Sequence, residues 1–549
     1  MNSGIIDRDE IVERHFIVFQ ELACLAERAL LEGNYEKSAA YAQVAAHYAW
    51  FHPTGLLASV DLEGILTQIG HVLKQSRNPG ARATQMPPRK VLHVITEVYG
   101  LGGHTRLVWR WIRSDRKRKH SVVLTAQGQS EVPSPLKAEV LATGGELQFL
   151  DRLPGGMLAR ARSLRRLANG YDHVVLHTYP CDVIPVIAFS ERQQCPPVTL
   201  MNKDDHVFWL GASVAYQVAQ MRDSGRRLCQ QRRGLSESQC PLLPIPLEVK
   251  SRTRTRAEAK RQLGLPEDIV VMLSVATAYK YSASAGDHFA EILLRVLQEH
   301  QDVVLLVIGP EENGEWASAI RQAQGRLKVF GKLRGVELFY EAADIYLDSF
   351  PFSSLTSILE AGSYGTPIVG FHFRPSDAAT INGDDPALTD LMVRAYTADD
   401  YRLQLSLLIR DDELRIALGK ATRESIIAYH AEGGWNHFLE ELYLRPKPDT
   451  PEPLNRSQTH RNVTELDLRL AQVFKLSGLS KGLDEVIRYN VGLFPFGTRI
   501  GIWWRTFKHE WRSTPRCLLA NWQKTRLKLL WSRYGKRIFQ TKHAPAVTK

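Results

Sequence analysis

The chain has 549 residues, a formal net charge of +11 and 44% hydrophobic residues, a composition typical of a folded protein with more than one domain. No apolar run approaches the roughly 18 residues that a membrane-spanning helix needs, and the acidic N-terminus lacks a signal-peptide pattern. The six cysteines are widely spaced without a CxxC pair, which argues against a disulfide framework or a structural zinc site. We therefore expect a protein of the reducing cytoplasm.

The positive charge is concentrated at the C-terminal end of the chain. Residues 499–549 contain thirteen Lys and Arg against one acid, Glu510, so the rest of the sequence is nearly neutral. The basicity therefore belongs to one segment and not to the whole surface.

Two proline-rich polar breaks, at 77–90 and 445–462, divide the chain. The segment 1–80 before the first break is predicted to be helical and resembles one tetratricopeptide helix pair around the turn at Gly33. A stack of such repeats needs further copies at a period of about 34, and none follows. We expect a helical cap or interaction segment.

Between the breaks, predicted strands and helices alternate in two series, 90–248 and 249–445. The strands of the first series are KVLHVITEV, HSVVLTA, ELQFLD, HVVLHT and PVTLMN; those of the second are DIVVMLSVA, VVLLVIG, LKVFG, DIYLDSF and PIVGFH. Near-continuous apolar strands, each followed by a helix, are typical of parallel sheets covered on both faces. The sequence predicts an α/β fold with two doubly wound, Rossmann-like domains facing across a cleft.

Ligands of doubly wound sheets bind beyond the carboxyl ends of the strands. In the first series these ends are followed by TEVYGLGGHTR, HTYPCD and NKDDHVFW, which place glycines, histidines and aspartates at one edge. We expect His206 or a neighbouring aspartate to touch substrate. The alternative is that Asp204 and Asp205 cap a helix over HVFWLGASVAY. The other candidates on this acceptor side are Gly102, Gly103, His104, His177 and Asp182.

In the second series, DSFPFSSLTSILEAGSYGTPIVGF reads as a strand, a loop of small residues, a helix from about Ser354, and another strand. Small residues leave the first amide groups of the helix open, and its positive dipole end favours an anion. Glu360 lies too far along the helix to cap it, and its carboxylate could accept hydrogen bonds from vicinal hydroxyls. Lys280 could reach a phosphate. Together they fit a nucleoside diphosphate; the structural alternatives are a capped helix with a solvated glutamate and a surface lysine.

This stretch, preceded by SVATAYKY, VLLVIGP and KVFGKL, resembles the nucleotide-sugar domain of GT-B glycosyltransferases of the group 1 family. There is also a likeness to the O-GlcNAc transferase type, and YGLGGHTR resembles the acceptor-side loop of the same fold. The resemblance covers 90–445. It implies a metal-independent glycosyltransferase with a nucleotide-sugar co-substrate, no other cofactor, and a role in bacterial surface polysaccharide or glycolipid synthesis.

Carried over by position, the resemblance implies that Glu360 binds the ribose hydroxyls and Lys280 neutralises the diphosphate. His206 would be the general base of an inverting reaction, with Asp205 in reserve. Phe352 stands where many retaining enzymes carry a second glutamate, which puts retention in doubt. The diphosphate would be held by Ser354, Leu355, Thr356 and Ser357, and the base would lie by Gly331 and Lys332.

The C-terminal segment 463–549 is predicted to be helical, basic and rich in tryptophan. Within 499–549, five tryptophans and other apolar residues recur at roughly helical spacing among Lys and Arg. This pattern suits an anionic membrane surface at the inner face of a cell membrane, and so a lipid-linked acceptor. The alternatives are that the aromatic residues pack against the catalytic domains, or that they bind nucleic acid.

Three classes of function remain open from the sequence. The leading one is a glycosyltransferase acting on a glycan, a lipid-linked acceptor or a protein, the last held by the helical front. The second is a nucleotide-sugar or glycan binder without turnover, which the missing second glutamate at Phe352 keeps open. The third is a nucleic-acid-binding or scaffold protein that acts through its basic tail.

Overall fold

The computed structural model describes residues 8–73, 87–100, 103–281, 289–372, 380–446 and 454–507. Three helices come first: α1 (Arg8–Leu31), α2 (Tyr35–Phe51) and α3 (Val60–Val72). Gly33 turns the chain between α1 and α2 with a φ of 72°, a left-handed conformation that glycine adopts without strain. Asn34 then caps α2 by accepting a hydrogen bond from the Lys37 amide.

The first sheet has six parallel strands in the order β3-β2-β1-β4-β5-β6. They are β1 (Lys90–Ile95), β2 (Lys119–Leu124), β3 (Leu147–Phe149), β4 (His173–His177), β5 (Val198–Asn202) and β6 (Gln217–Gln220). The helices of this domain are α4 (Gly103–Ser114), α5 (Ser134–Ala142), α6 (Met157–Ala168), α7 (Val183–Ala188) and α8 (Asp223–Arg232). The strand order reverses between β1 and β4, the position at which doubly wound sheets bind ligands.

The second sheet is also parallel, in the order β12-β11-β10-β7-β8-β9. Its strands are β7 (Val270–Val275), β8 (Val303–Ile308), β9 (Leu327–Val329), β10 (Ile345–Leu347), β11 (Ile368–Phe371) and β12 (Val393–Ala395). Its helices are α9 (Arg256–Gln262), α10 (Phe289–Glu299), α11 (Gly314–Gln322), α12 (Glu337–Ala342), α13 (Leu355–Ser363), α14 (Ala398–Arg410), α15 (Asp412–His430) and α16 (Glu432–Leu444).

Both faces of each sheet are covered, because neighbouring strand residues enter different apolar clusters. Val91 joins one cluster and Leu92 another, and the same alternation separates Val271 from Val270. The predicted fold class, two doubly wound domains in the arrangement implied by the GT-B resemblance, is confirmed. All ten predicted strands are present; β6 and β12 were not predicted.

The two domains share part of their core. One apolar cluster contains Trp111 of α4, Val271 of β7 and Trp435 of α16. Trp435 packs edge-on against Trp111 with ring centroids 5.5 Å apart and donates to the Pro244 carbonyl at 2.7 Å. Helix α16 therefore returns from the second domain and fixes it against the first.

The front helices dock on the first domain through two carboxylates, of which Glu63 is buried and Glu36 is half-buried. Glu63 of α3 accepts hydrogen bonds from three consecutive amides, those of Gly211, Ala212 and Ser213, at 2.9, 3.1 and 2.7 Å. Glu36 of α2 accepts from the first two amides of α6 at 3.0 and 3.1 Å. The helical front is thus packed as part of the first domain, and its helices share an apolar cluster with the sheet.

The last described helices are α17 (Glu465–Leu476), α18 (Leu483–Asn490) and α19 (Phe496–Phe507). Helix α17 is tied to α8 by a buried ion pair in which Arg232 Nη2 lies 3.0 Å from Asp467 Oδ2. Helix α18 packs on α2, where Asn490 contacts His47 at 2.8 Å. The described part of the predicted tail therefore lies on the first domain, and residues 508–549 lie outside the described residues.

Candidate active site

The candidate site lies where the carboxyl ends of β1, β5 and β7 meet the start of α13. A Cβ atom on Gly103, the first residue of α4, would lie 3.2 Å from Thr356 Oγ1 in α13. Glycine at this position lets the loop after β1 approach the helix of the other domain closely. Gly102, predicted to share this role, lies outside the described residues.

The start of α13 is shaped as the sequence predicts. Asp348, directly after β10, accepts from the Ser354 amide at 2.9 Å, and Ser354 itself gives the helix no side-chain cap. The hydroxyls of Ser354 and Ser357 lie 3.1 Å apart beside the first turn. Gly365 follows the helix with a φ of 73°. Because Ser354 makes no side-chain cap, the first amides of α13 could donate hydrogen bonds to a bound anion.

Glu360 points into the crevice between the domains. Its Oε1 accepts hydrogen bonds from Arg106 Nη1 and Arg110 Nη2 of α4, each at 3.0 Å, and its side chain is 20% exposed. The Tyr340 hydroxyl lies beside Ser357 and this carboxylate, and burial together with Glu360 raises the pKa of Tyr340. Glu360 is therefore not a solvated glutamate; the two arginines are site residues that the sequence analysis missed.

Lys280 lies at the start of α13 and not on the open surface. Its Nζ donates to the Ser353 carbonyl at 2.6 Å and stands 5.2 Å from the centre of the Phe352 ring. Burial lowers the pKa of Lys280 below its ordinary value, against the opposing effect of Asp348. An ammonium group in this position carries an incompletely neutralised positive charge beside the open helix end.

His206 faces the second domain from the end of β5. Its ring packs edge-on against Phe352 with centroids 4.9 Å apart, and its Nδ1 lies 3.3 Å from Asp205 Oδ1. Asp205 is buried and binds Arg222 through both oxygens, at 2.7 and 2.9 Å. Burial opposes ionisation of Asp205, but Arg222 and His206 outweigh it and hold the pKa of Asp205 well below its ordinary value. Asp205 is therefore poorly suited to act as a reserve base.

The alternative in which Asp204 and Asp205 cap a helix is wrong. Residues 206–216 form turns, and Phe208 and Trp209 from this segment enter the apolar core instead. The predicted helix fails because its large apolar residues fall in one continuous run, without the spacing that would put them on one helical face.

A second polar group lies beside His206. His104 Nδ1 is 3.4 Å from Lys203 Nζ, and His104 Nε2 is 3.7 Å from Asp204 Oδ1. Burial and then Lys203 lower the pKa of His104 to about 4, although Asp204 acts in the opposite direction. His104 is therefore neutral at neutral pH. Lys203 is a further cation in the crevice, and the sequence feature that indicated it was its position in NKDDH, directly after a predicted strand.

Two residues predicted for the acceptor side make their contacts inside the first domain instead. Asp182 caps α7 by accepting from the Ile184 amide at 3.0 Å, and its other oxygen accepts from the hydroxyls of Thr96 and Thr125. Both carboxylate oxygens are thus engaged in the first domain, contrary to the expectation that Asp182 faces the acceptor.

His177 is 1% exposed and belongs to a buried row of histidines. Its Nε2 lies 3.0 Å from His93 Nδ1, and His93 Nε2 lies 2.9 Å from His120 Nδ1. His120 Nε2 in turn lies 2.9 Å from the Asp115 carbonyl oxygen. His177 therefore lies in the core beneath α4 and does not make the expected contact with an acceptor.

Gly331 and Lys332 follow β9 at the same edge of the second sheet. Gly331 accepts from the Gly309 amide at 2.8 Å, and Lys332 is exposed. Their assignment to the nucleotide base stays a prediction. Within the described ranges, no group of three or more His, Cys, Asp or Glu side chains is placed to hold a metal ion.

No family model and no curated protein matches the chain. Among solved structures it is similar to Anabaena HepE in complex with UDP and glucose, with 15% identity and a TM-score of 0.49 over 65% of this chain and 99% of that one. A Thermobaculum terrenum O-GlcNAc transferase mutant has 16% identity and a TM-score of 0.45 over 80% and 82%. WaaG, a glycosyltransferase involved in lipopolysaccharide biosynthesis, has 13% identity and a TM-score of 0.41 over 61% and 95%. Similarity at this level transfers no activity to the chain.

The buried histidines predict that the protein loses stability in mild acid. Burial lowers the pKa of His173 and His177 to about 3, whereas an unfolded histidine titrates near pH ~6.5. Between these values only the unfolded chain takes up the proton. Each histidine should therefore lower the free energy of unfolding by about 1.4 kcal/mol for every pH unit below ~6. Urea unfolding at pH 7.5, 6.5 and 5.5 measures this slope.

The variant His177→Gln should flatten that slope, and the matched change His437→Gln, at a side chain 72% exposed, should leave it unaltered. Equal slopes in the unchanged protein and in His177→Gln would contradict the assignment of part of the pH dependence to His177.

Proposed function

We propose that the chain is a glycosyltransferase that binds a nucleotide-sugar in the crevice and transfers its sugar to a hydroxyl acceptor. The observation that carries this proposal is the position of Glu360 in the crevice, on the helix whose N-cap residue, Ser354, makes no side-chain cap. Amide donors and Lys280 suit a diphosphate, while a carboxylate acceptor suits vicinal ribose hydroxyls. A nucleoside diphosphate combines both groups in one molecule.

The departing diphosphate would be stabilised by groups already fixed in the protein. The positive end of α13 and the Lys280 ammonium face the same place, and neither must reorganise as negative charge develops. The depressed pKa of Lys280 reflects a cation without full compensation, so a bound diphosphate would favour its charged form. The proposal includes no bound divalent ion.

His206 is the base that we assign to the acceptor. Its Nδ1 faces the Asp205 carboxylate, which can only accept, so neutral His206 carries its proton on Nδ1 and a lone pair on Nε2. The acceptor oxygen would bond to the anomeric carbon as the bond to the diphosphate oxygen breaks. Its proton would pass to Nε2, with inversion of configuration. Asp205, held by Arg222, would orient the ring.

A second candidate is a binder that retains the nucleotide-sugar without turnover. The observation that favours it is Phe352, whose ring covers His206 and Lys280 at 4.9 and 5.2 Å. A sugar between those two groups would have to displace this ring. The two candidates differ in turnover and not in nucleotide binding.

We further propose that the acceptor is a glycan or lipid-linked molecule, reached at an anionic membrane surface by a cytoplasmic enzyme. Phe496, Ile500 and Trp504 of α19 are 60%, 45% and 65% exposed and recur every fourth residue, so they form one apolar stripe. The next 42 residues, 508–549, carry eleven Lys and Arg and one acid. None of the described helices has the length and apolar character needed to cross a bilayer.

Glu360→Gln should weaken binding of the matching nucleoside diphosphate by about 10- to 100-fold, because it replaces charge-assisted hydrogen bonds to the ribose with neutral ones. Calorimetric titration with UDP, GDP and ADP measures this change. Glu424→Gln, at an exposed position of α15, is the matched control and should bind as the unchanged protein does. The proposal fails if no diphosphate binds, or if Glu360→Gln binds one unaltered.

His206→Ala should reduce sugar transfer or donor hydrolysis by about 10²- to 10⁴-fold and leave the nucleotide dissociation constant within about twofold. Turnover of a nucleotide-sugar panel and titration of the same variant separate the two effects. Full turnover in His206→Ala would remove this residue as the base. An unchanged protein that binds a donor but never turns it over would favour the non-catalytic candidate.

Removal of 508–549 should abolish sedimentation with vesicles that contain anionic lipid, because each basic residue near such a surface contributes about 1 kcal/mol. Trp504→Glu should weaken the same binding by adding a charge to the apolar stripe. Vesicles of zwitterionic lipid alone are the control and should not bind. Retention on anionic vesicles after the truncation would exclude this segment as the membrane contact.

A further inference from the structure

Two arginines of the first domain hold the carboxylate of the second from across the crevice. Arg106 Nη1 and Arg110 Nη2 donate to the same oxygen, Oε1 of Glu360, each at 3.0 Å. None of the residues that the structure describes donates to the other oxygen, Oε2. A carboxylate oxygen has two lone pairs, so Oε2 keeps its acceptor capacity while Oε1 is engaged.

The position of the arginines is fixed by helix packing. Arg106 and Arg110 are four residues apart and therefore lie on the same face of α4. The start of α4 lies close to the start of α13, where a Cβ atom on Gly103 would stand 3.2 Å from Thr356 Oγ1. Trp111, the residue after Arg110, is fully buried between the domains. The arginine–glutamate contact thus belongs to a packed interface.

The two arginines differ in burial, and this difference predicts which one matters more. The Arg110 side chain is 8% exposed, whereas the Arg106 side chain is 37% exposed. An exposed ion pair restricts a side chain only weakly, but a buried arginine needs its carboxylate and holds it in place. Arg110 should therefore fix the Glu360 side chain, with Arg106 in a supporting role.

We propose that Arg110, supported by Arg106, is a positioning residue that turns Oε2 of Glu360 toward the ribose hydroxyls of the nucleotide. This inference rests on the proposed function of the crevice. Holding a recognition group in its bound orientation lowers the entropy lost when the ligand binds. The nucleotide site is then completed by a helix of the other domain, so donor affinity depends on the contact between α4 and α13.

Two other roles of the arginines give different results for different ligands. If they contacted the diphosphate directly, their loss would weaken binding of diphosphates and leave nucleosides unaffected. If they only joined the domains, their loss would change stability and leave both affinities unaltered. A positioning role acts through the ribose, which nucleosides and diphosphates share, and therefore weakens both equally.

The test is a double-mutant cycle with Arg110→Met and Glu360→Gln in the full chain. The probes are uridine, guanosine and adenosine, followed by ligand-observed NMR, and UDP, GDP and ADP, followed by calorimetry. Arg110→Met should weaken the matching nucleoside and its diphosphate by the same factor, about tenfold, and should have no further effect in Glu360→Gln. Arg106→Met should have a smaller effect of the same kind, about threefold.

Arg113→Met is the matched control, because Arg113 lies on the same helix and pairs with Glu139 and Glu248 at 2.8 and 3.1 Å. It should leave nucleotide affinity unaltered. Arg106→Met, at the more exposed position, tests the same role should Arg110→Met fail to fold.

The inference is overturned if the arginine variants weaken the binding of diphosphates alone, or leave the binding of both ligands unaffected. It is also overturned if an arginine substitution weakens binding by the same factor when it is added to Glu360→Gln. In those cases nucleotide binding itself persists and the proposed function stands. If the unchanged protein binds none of the six probes, the proposed function fails and this inference fails with it.

Discussion

The contact between Glu360 and the two arginines of α4 is the constraint on which the arrangement of the site depends. A carboxylate that is largely enclosed between two domains requires positive partners, and α4 supplies them at 3.0 Å. The same contact fixes the distance between the loop after β1 and the start of α13. Lys280 and the start of α13 lie together at this edge, where Lys280 Nζ donates to the Ser353 carbonyl.

The opposite side of the crevice is fixed by a second ion pair that also reaches across the domains. Arg222 binds Asp205 in the first domain and lies 3.8 Å from Asp384 in the second, which also accepts from the Ser224 amide at 3.1 Å. The orientation of His206 is therefore linked to the position of the second sheet. Both sides of the crevice therefore carry a charged contact between the domains, Glu360 with α4 on one side and Asp384 with Arg222 on the other.

The sequence predicted those features that are encoded locally. Ten apolar strands and the helix that carries Glu360 follow from short patterns, and all are present. The strand β6 was missed because its ends are glutamines, which are buried only because Gln217 donates to Thr199 at 2.9 Å and Asn202 donates to Gln220 at 2.8 Å. Asp205 was assigned without its partner, since Arg222 becomes its neighbour only when β5 and β6 pair. Such long-range contacts also decided the positions of His177 and Asp182, which no local pattern reveals.

The apolar wall beside His206 comes in part from a segment of the chain that the GT-B resemblance does not cover. Helix α17 contributes Leu466, Leu470 and Val473 to an apolar cluster that contains Val207, next to His206, and Phe352. The buried pair of Arg232 and Asp467 anchors this helix to the first domain, while Phe352 and Ile381 bring the second domain into the same cluster. Because Phe352 shares this cluster with α17 and also packs on His206, displacement of its ring would disturb the packing of α17 as well. Under the proposed function, the C-terminal helices would therefore help to shape the acceptor side of the crevice, whereas α4 and α13 would shape the donor side.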